Sequence, residues 1–177
     1  MVRAELDGLV AAGADYIQLD EPALPRRPYG LSPEEGAQVI NRTLSGLPCK
    51  RAVHVCFGNN AGRPFADRRL DPLTAAMLSL DCDQLFLEFA NRGMANVELL
   101  APLSERFEIA AGVVDVKNWY PESAEDVARR IRQCLEFMPV EKLAVTADCG
   151  FSALPRHLAR EKLGAMVAGA RILRAEL

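Results

Sequence analysis

Five short runs, most of them nearly continuous in apolar residues, at residues 16–20, 52–56, 84–89, 109–116 and 143–147, divide the chain into alternating strand-like and helix-like segments. Runs this short and this rich in Val, Ile, Leu and Phe read as strands buried on both faces, and strands separated by helical stretches pair in parallel. The expected fold is α/β, with about five parallel βα units. The same runs carry reactive groups at their ends: Asp20, the pair His54 and Cys56, Glu88, Lys117 and Cys149 each lie at or just past the end of a run. Parallel sheets deliver their chemistry from the carboxyl ends of the strands, so the chain reads as a metal-centred enzyme half. Five units would leave two exposed edges in a barrel that closes at about eight strands. Either the sheet is open, or the chain is the later part of a longer barrel.

Helix signals fall between the runs. Ser32-Pro33-Glu34-Glu35 offers an N-cap with proline at the first helical position, Ser123-Ala124-Glu125-Asp126 resembles a capping box, and residues 156–177 read as the last helix. Two loops rich in proline and arginine, residues 25–30 and 59–72, follow strand ends and are placed to shape substrate access. Residues 1–177 are expected to form a single globular, soluble domain. A net charge of -3, from 21 basic and 24 acidic residues spread along the chain, argues against nucleic-acid and membrane-surface partners. With no signal-peptide core at the N-terminus and no apolar run approaching about 20 residues, the expected location is the cytoplasm. The odd count of 5 cysteines suits reduced thiols rather than a disulfide framework.

The strongest local chemistry is Val53-His54-Val55-Cys56. Residues two apart in a strand project to the same side, so an imidazole and a thiolate, both zinc ligands, point together. Taken alone, such a pair is more often a small buried hydrophobe beside a hydrogen-bonded histidine. Its company changes the balance. Glu88 is a charged group inside the apolar strand Phe86-Leu87-Glu88-Phe89, costly there unless paired or coordinated, and Cys149 sits at another strand end in Asp148-Cys149-Gly150. One His, two Cys and one Glu form a ligand set of mixed softness suited to Zn²⁺.

Several motifs in order then bring a family into view. The chain resembles the C-terminal catalytic barrel of cobalamin-independent methionine synthase, through residues 18–24 (QLDEPAL), His54-Val55-Cys56, Glu88 in its strand, Gly112-Val113-Val114-Asp115-Val116 and Asp148-Cys149-Gly150. The likeness runs from about Leu9 to the C-terminus, so it implies the later part of a TIM (β/α)8 barrel. It also implies that His54, Cys56, Glu88 and Cys149 hold a catalytic zinc and that Asp20 contacts the amino group of homocysteine, whose thiol joins the metal. Zinc lowers the pKa of a bound thiol, and two cysteine sulfurs with a carboxylate keep that sulfur nucleophilic toward a methyl donor. The donor would be methylated folate or methylcobalamin, and the product methionine. A leaving folate nitrogen needs a proton, and Lys117 stands where the family has a histidine for that task. Two further departures accompany it: Arg26 stands where the family has a folate-contacting glutamate, and the interval from Cys56 to Glu88 carries about ten extra residues around residues 58–63.

The expected function is therefore zinc-dependent methyl transfer to homocysteine, as in methyltetrahydropteroyltriglutamate–homocysteine methyltransferase. Two alternatives stay open: zinc-dependent alkyl transfer to another thiol, as in epoxyalkane:coenzyme M transferase, and an inactive fragment that needs a complementing N-terminal chain. Exposed barrel edges also imply association, with a second copy or with that complement. Lesser candidates have plainer readings. Cys49, Cys82 and Cys134 are structural thiols; His157 lies with Arg156, Arg160 and Lys162 on a solvated helix face; Trp119 and Tyr120 border a pocket mouth or pack a loop. Glu21 and Asp115 either orient His54 or Lys117 or cap strand ends.

Overall fold

Each apolar run pairs with the next one along the chain. The computed structural model describes every residue except Pro22, within the first motif quoted above, and Ala61, within the extra loop. Strands β1 (Tyr16–Glu21), β2 (Lys50–Val55), β3 (Gln84–Glu88), β4 (Glu108–Val114) and β5 (Leu143–Ala147) form one sheet in the order β1-β2-β3-β4-β5, every pair parallel. Helices α1 (Val2–Ala11), α2 (Ala23–Arg26), α3 (Pro33–Leu44), α4 (Thr74–Leu78), α5 (Leu100–Arg106), α6 (Ala124–Leu135) and α7 (Arg156–Glu176) precede, connect and follow them. Sequential parallel pairing with helical crossovers is the winding of a TIM-type barrel, of which these units form an arc.

The helix starts lie where the capping signals place them. Ser32 Oγ accepts from Glu35 N (3.2 Å) while Glu35 Oε2 accepts from Ser32 N (2.7 Å), and Ser123 and Asp126 make the same reciprocal pair at α6. The expected loop at 25–30 instead contains the end of α2 and a 3-10 turn at Pro28–Gly30, with Arg27 and Tyr29 in the left-handed region at φ 51° and 58°.

One face of the sheet makes the core. Ile17, Val53, Val55, Leu85, Leu87 and Ile109 are buried against helix residues such as Ile40, Met77, Leu103 and Val127. Each such side chain is worth roughly 1.5–3 kcal/mol in removed apolar surface, which is what holds the arc together. The register puts Asp20, His54, Phe86, Ala110 and Ala144 in one row of the opposite face, and Glu88, Gly112 and Thr146 in the next row toward the carboxyl ends. Nothing among the described residues covers this second face at β1, where Gln18 and Asp20 are exposed, and β5 is partly open along its length. Both β1 and β5 have a strand neighbour on one side only among the described residues.

Strand ends shift from the sequence expectation where side chains decide them. β2 starts at Lys50 because Lys50 Nζ donates to Glu108 Oε2 (2.5 Å) and Arg51 N donates to Asp83 Oδ2 (2.7 Å), fixing two polar residues ahead of the apolar run. β4 stops at Val114, before Asp115 N turns aside to donate to Glu122 Oε1 (2.8 Å). The start of α7 reads as a solvated face, and Arg156, His157 and Arg160 are exposed, but Lys162 is fully buried. Its ammonium donates to Asp115 O (2.8 Å), Tyr120 O (2.5 Å) and Glu122 Oε2 (2.8 Å), using all three protons. That anchor fixes the loop after β4, which carries Lys117. α7 can approach α6 this closely because Gly169 has no side chain: a Cβ there would stand 2.6 Å from Val127 Cγ1.

Candidate metal centre

Alternation along β2 sends His54 and Cys56 to the inner face, and the parallel register brings the end of β3 beside them. The turn after β5 supplies Cys149. His54, Cys56, Glu88 and Cys149, from three strand ends, present one nitrogen, two sulfurs and one carboxylate oxygen all within 4.8 Å of one another. A tetrahedral ion with metal–sulfur distances of about 2.3 Å and metal–nitrogen or metal–oxygen distances of about 2.0–2.2 Å requires donor separations of this size. The two sulfurs are 3.5 Å apart. The donors present therefore fit a metal ion.

Each donor is held by its neighbours. Glu88, whose side chain is 0% exposed, accepts from Phe57 N (3.1 Å) and Asn91 Nδ2 (2.8 Å), and the Lys117 ammonium, itself 3% exposed, pairs with its Oε2. Gly58 N donates to Cys56 Sγ (3.2 Å). His54 Nδ1 meets Asp20 Oδ1 at 2.8 Å, while Nε2 lies 3.1 Å from Asp148 O. Asp20 is the charged partner of this ring. Burial opposes charge on His54, but the hydrogen bond and charge of Asp20 outweigh it and hold the imidazole above its ordinary value. The same hydrogen bond from His54 holds Asp20 below the usual carboxylate range. The two thiols share one hydrogen bond, which lowers Cys149 to about 6 and, with burial, pushes Cys56 up. One thiolate is ready for a metal at neutral pH.

A cavity of about 300 Å³ opens onto these sulfurs, lined by Asp20, Cys56, Asn59, Phe65, Cys149 and Ser152 among others. Asn59 Nδ2 donates to Gly150 O (2.9 Å) and its Oδ1 accepts from Gly62 N (3.1 Å), which folds the extra loop over the turn carrying Cys149. That fold delivers Phe65 to the cavity wall, and the Arg26 guanidinium lies over the same ring, 5.3 Å from its centroid.

The residues singled out in sequence thus come together: the four donors, Asp20 against His54, and Lys117 against Glu88. Of the partners read for His54 or Lys117, Asp115 meets Lys117, while Asp20 occupies His54 Nδ1. Asp115 acts on its own loop, accepting from Lys117 N (2.7 Å) and pairing with Asn118 Nδ2. Trp119 and Tyr120 are largely exposed and line neither this cavity nor a smaller one of about 200 Å³ beside His54 and Thr146. Cys82 and Cys134 are buried away from the cluster, and burial pushes both thiols up to about 12. Sequence reasoning gave no role to Asp148 or Asn91, both in contact with this cluster. The adjacency of Asp148 to Cys149 is the one signal that could have pointed there.

Residues 1–172 match the family model described as cobalamin-independent synthase, catalytic domain. The methionine synthase of Saccharolobus solfataricus is 35% identical over 178 residues, covering 99% of this chain and 49% of that protein. The methionine synthase of Thermococcus kodakarensis is 36% identical over 177 residues, covering 100% and 49%. The B12-independent methionine synthase of a Shewanella species, solved in complex with selenomethionine, superposes with a TM-score of 0.83 at 30% identity over 99% of this chain and 53% of that one. The chain spans about half the length of the curated relatives it matches.

Proposed function

The chain belongs to the cobalamin-independent methionine synthase family, and from that footing we propose that it is the latter, metal-bearing part of a barrel that transfers a methyl group to the thiol of homocysteine, forming methionine. The observation that carries this reading is the convergence of His54, Cys56, Glu88 and Cys149 beneath a cavity whose rim holds Asp20. We assign the ion as Zn²⁺, because two thiolates, an imidazole and a carboxylate suit its borderline softness. Bound there, zinc supplies Lewis acidity that keeps an incoming thiol deprotonated at neutral pH.

The chain's own residues do the rest. Asp20 is 63% exposed at its side chain, so while one oxygen holds His54 Nδ1 the other is free to receive the ammonium of the substrate. Phe65 and Asn59 form the wall along which the short aliphatic part of the thiol would lie. Lys117 holds the proton that a leaving donor nitrogen takes up, with the loop anchor at Lys162 fixing its position. The donor is methylated folate or methylcobalamin. The same site would serve alkyl transfer to another small thiol such as coenzyme M.

Residues 1–177 are proposed to be one structural unit, completed by an N-terminal complement that supplies the missing strands. The open edges of β1 and β5 and the exposure along both strands support this. Association of two copies would cover part of the same surface. We place its site of action in the cytoplasm, where five unpaired cysteines would stay reduced. The test is methionine formation from homocysteine by the zinc-loaded chain, with each methyl donor in turn, alone and with a polypeptide carrying the preceding units. Turnover on reconstitution is expected. A reconstituted, zinc-loaded barrel that alkylates coenzyme M but leaves homocysteine untouched would overturn the proposal.

A further inference from the structure

Two of the four donors are tied to one residue that is itself no ligand. Asp148 is fully buried, and its carboxylate accepts four hydrogen bonds: Phe89 N (2.9 Å) and Ala90 N (3.0 Å) on Oδ1, Asn91 N (2.6 Å) and Asn91 Nδ2 (2.7 Å) on Oδ2. The three consecutive backbone N–H groups belong to the turn that immediately follows Glu88 and form a nest around the anion. The Asn91 amide also donates to Glu88 Oε2 (2.8 Å), so one side chain bridges Asp148 and a donor. Through its own backbone, Asp148 is bonded to Cys149, the next residue in the chain. β4 makes room for this arrangement. A Cβ on Gly112 would stand 2.3 Å from Asp148 Oδ1, and the β4–β5 register slips between Gly112 and Val114.

Burying a carboxylate is costly, and an apolar side chain could fill the same space without that cost. What an apolar side chain could not do is fasten the turn after β3 to the turn after β5 in a fixed geometry. We infer that Asp148, acting with Asn91, is the positioning residue of the metal centre: its carboxylate locks the strand end that carries Glu88 onto the one that carries Cys149. This rests on the metal reading above, and it assigns the pair an effect on metal affinity and ligand geometry rather than on the fold alone. Partners that orient ligands in this way typically change metal affinity by about 10–100-fold when removed.

The experiment is zinc affinity by competition with a chromophoric chelator, together with the ligand-field spectrum of the Co²⁺-substituted chain, for wild type, Asp148→Asn and Asn91→Ala. Asn91→Ala keeps the backbone N–H in the nest and loses only the bridging amide, so it decides the matter alone if Asp148→Asn does not fold. The expected result is about 10-fold weaker zinc binding for Asn91→Ala and up to about 100-fold for Asp148→Asn, with an altered Co²⁺ spectrum in each. Folded Asn91→Ala with zinc affinity within about twofold of wild type and an unchanged spectrum would overturn the inference. Failure of the wild-type chain to bind zinc would instead remove the metal reading itself, a distinct result.

Discussion

Lys117→Met should act in opposite directions on the metal-free chain and on its affinity for zinc. Glu88 is 0% exposed and Lys117 3% exposed at the side chain, so their ion pair is buried, and the Lys117 ammonium occupies a position beside Glu88 that serves in place of a metal charge. Removing one partner of a buried pair costs about 3–5 kcal/mol, because the remaining charge loses its compensation. Glu88 keeps two donors, Phe57 N and Asn91 Nδ2, which argues for the lower end, about 3 kcal/mol. Zinc restores a cation to Glu88, so the loaded variant should be penalised less than the metal-free one. If half the cost is relieved, linkage makes zinc bind on the order of tenfold more tightly to Lys117→Met than to wild type. Urea unfolding in chelator and in buffered zinc, with the slope held constant, reads both quantities. A metal-free variant within about 0.5 kcal/mol of wild type, or one that binds zinc more weakly, would refute the idea that Lys117 stands in for the metal charge.

Other consequences can be checked singly. Cys149→Ser and His54→Ala should each cut zinc content sharply, measured by metal analysis after gel filtration, while Cys82→Ser leaves it unchanged. In the metal-free chain the Cys149 thiolate fraction should rise through about pH 6, so iodoacetamide labelling is already fast at neutral pH. Cys82 and Cys134, pushed up to about 12, should stay unlabelled at neutral pH in the folded chain. Burial raises Glu122, but Lys162, Asp115 N and Arg130 more than offset it, so its folded value lies below its unfolded one. Its stabilisation is then present above the unfolded value and lost as pH falls through the folded one. Glu122→Gln should cost roughly 3 kcal/mol at neutral pH and much less in acid, which a pair of urea titrations at the two pH values would show.

Much of this architecture is legible in sequence because its strands are buried on the helix face and read as apolar runs. The period of two along residues 53–56 puts His54 and Cys56 on one side, and the misplaced charge of Glu88 marks it as engaged. What sequence could not supply is lateral register. Asp20 rather than Glu21 meets His54 because Asp20 and His54 face each other across β1 and β2. The Lys117–Glu88 pair joins residues from different strand ends, and Asp148 acquires its role only where three turns converge. Lys162 illustrates the same limit from the other side: among arginines at a helix start it reads as solvated, yet its three acceptors lie in a loop about forty residues away.

The central claim is that the donors of three strand ends form one zinc site. X-ray absorption at the zinc edge on the metal-loaded chain tests it most directly. The account predicts about one zinc per chain, with two sulfur and two nitrogen or oxygen neighbours, and one more sulfur neighbour or an exchanged ligand once homocysteine is added. A first shell without sulfur, or substoichiometric metal that gel filtration removes, would contradict it.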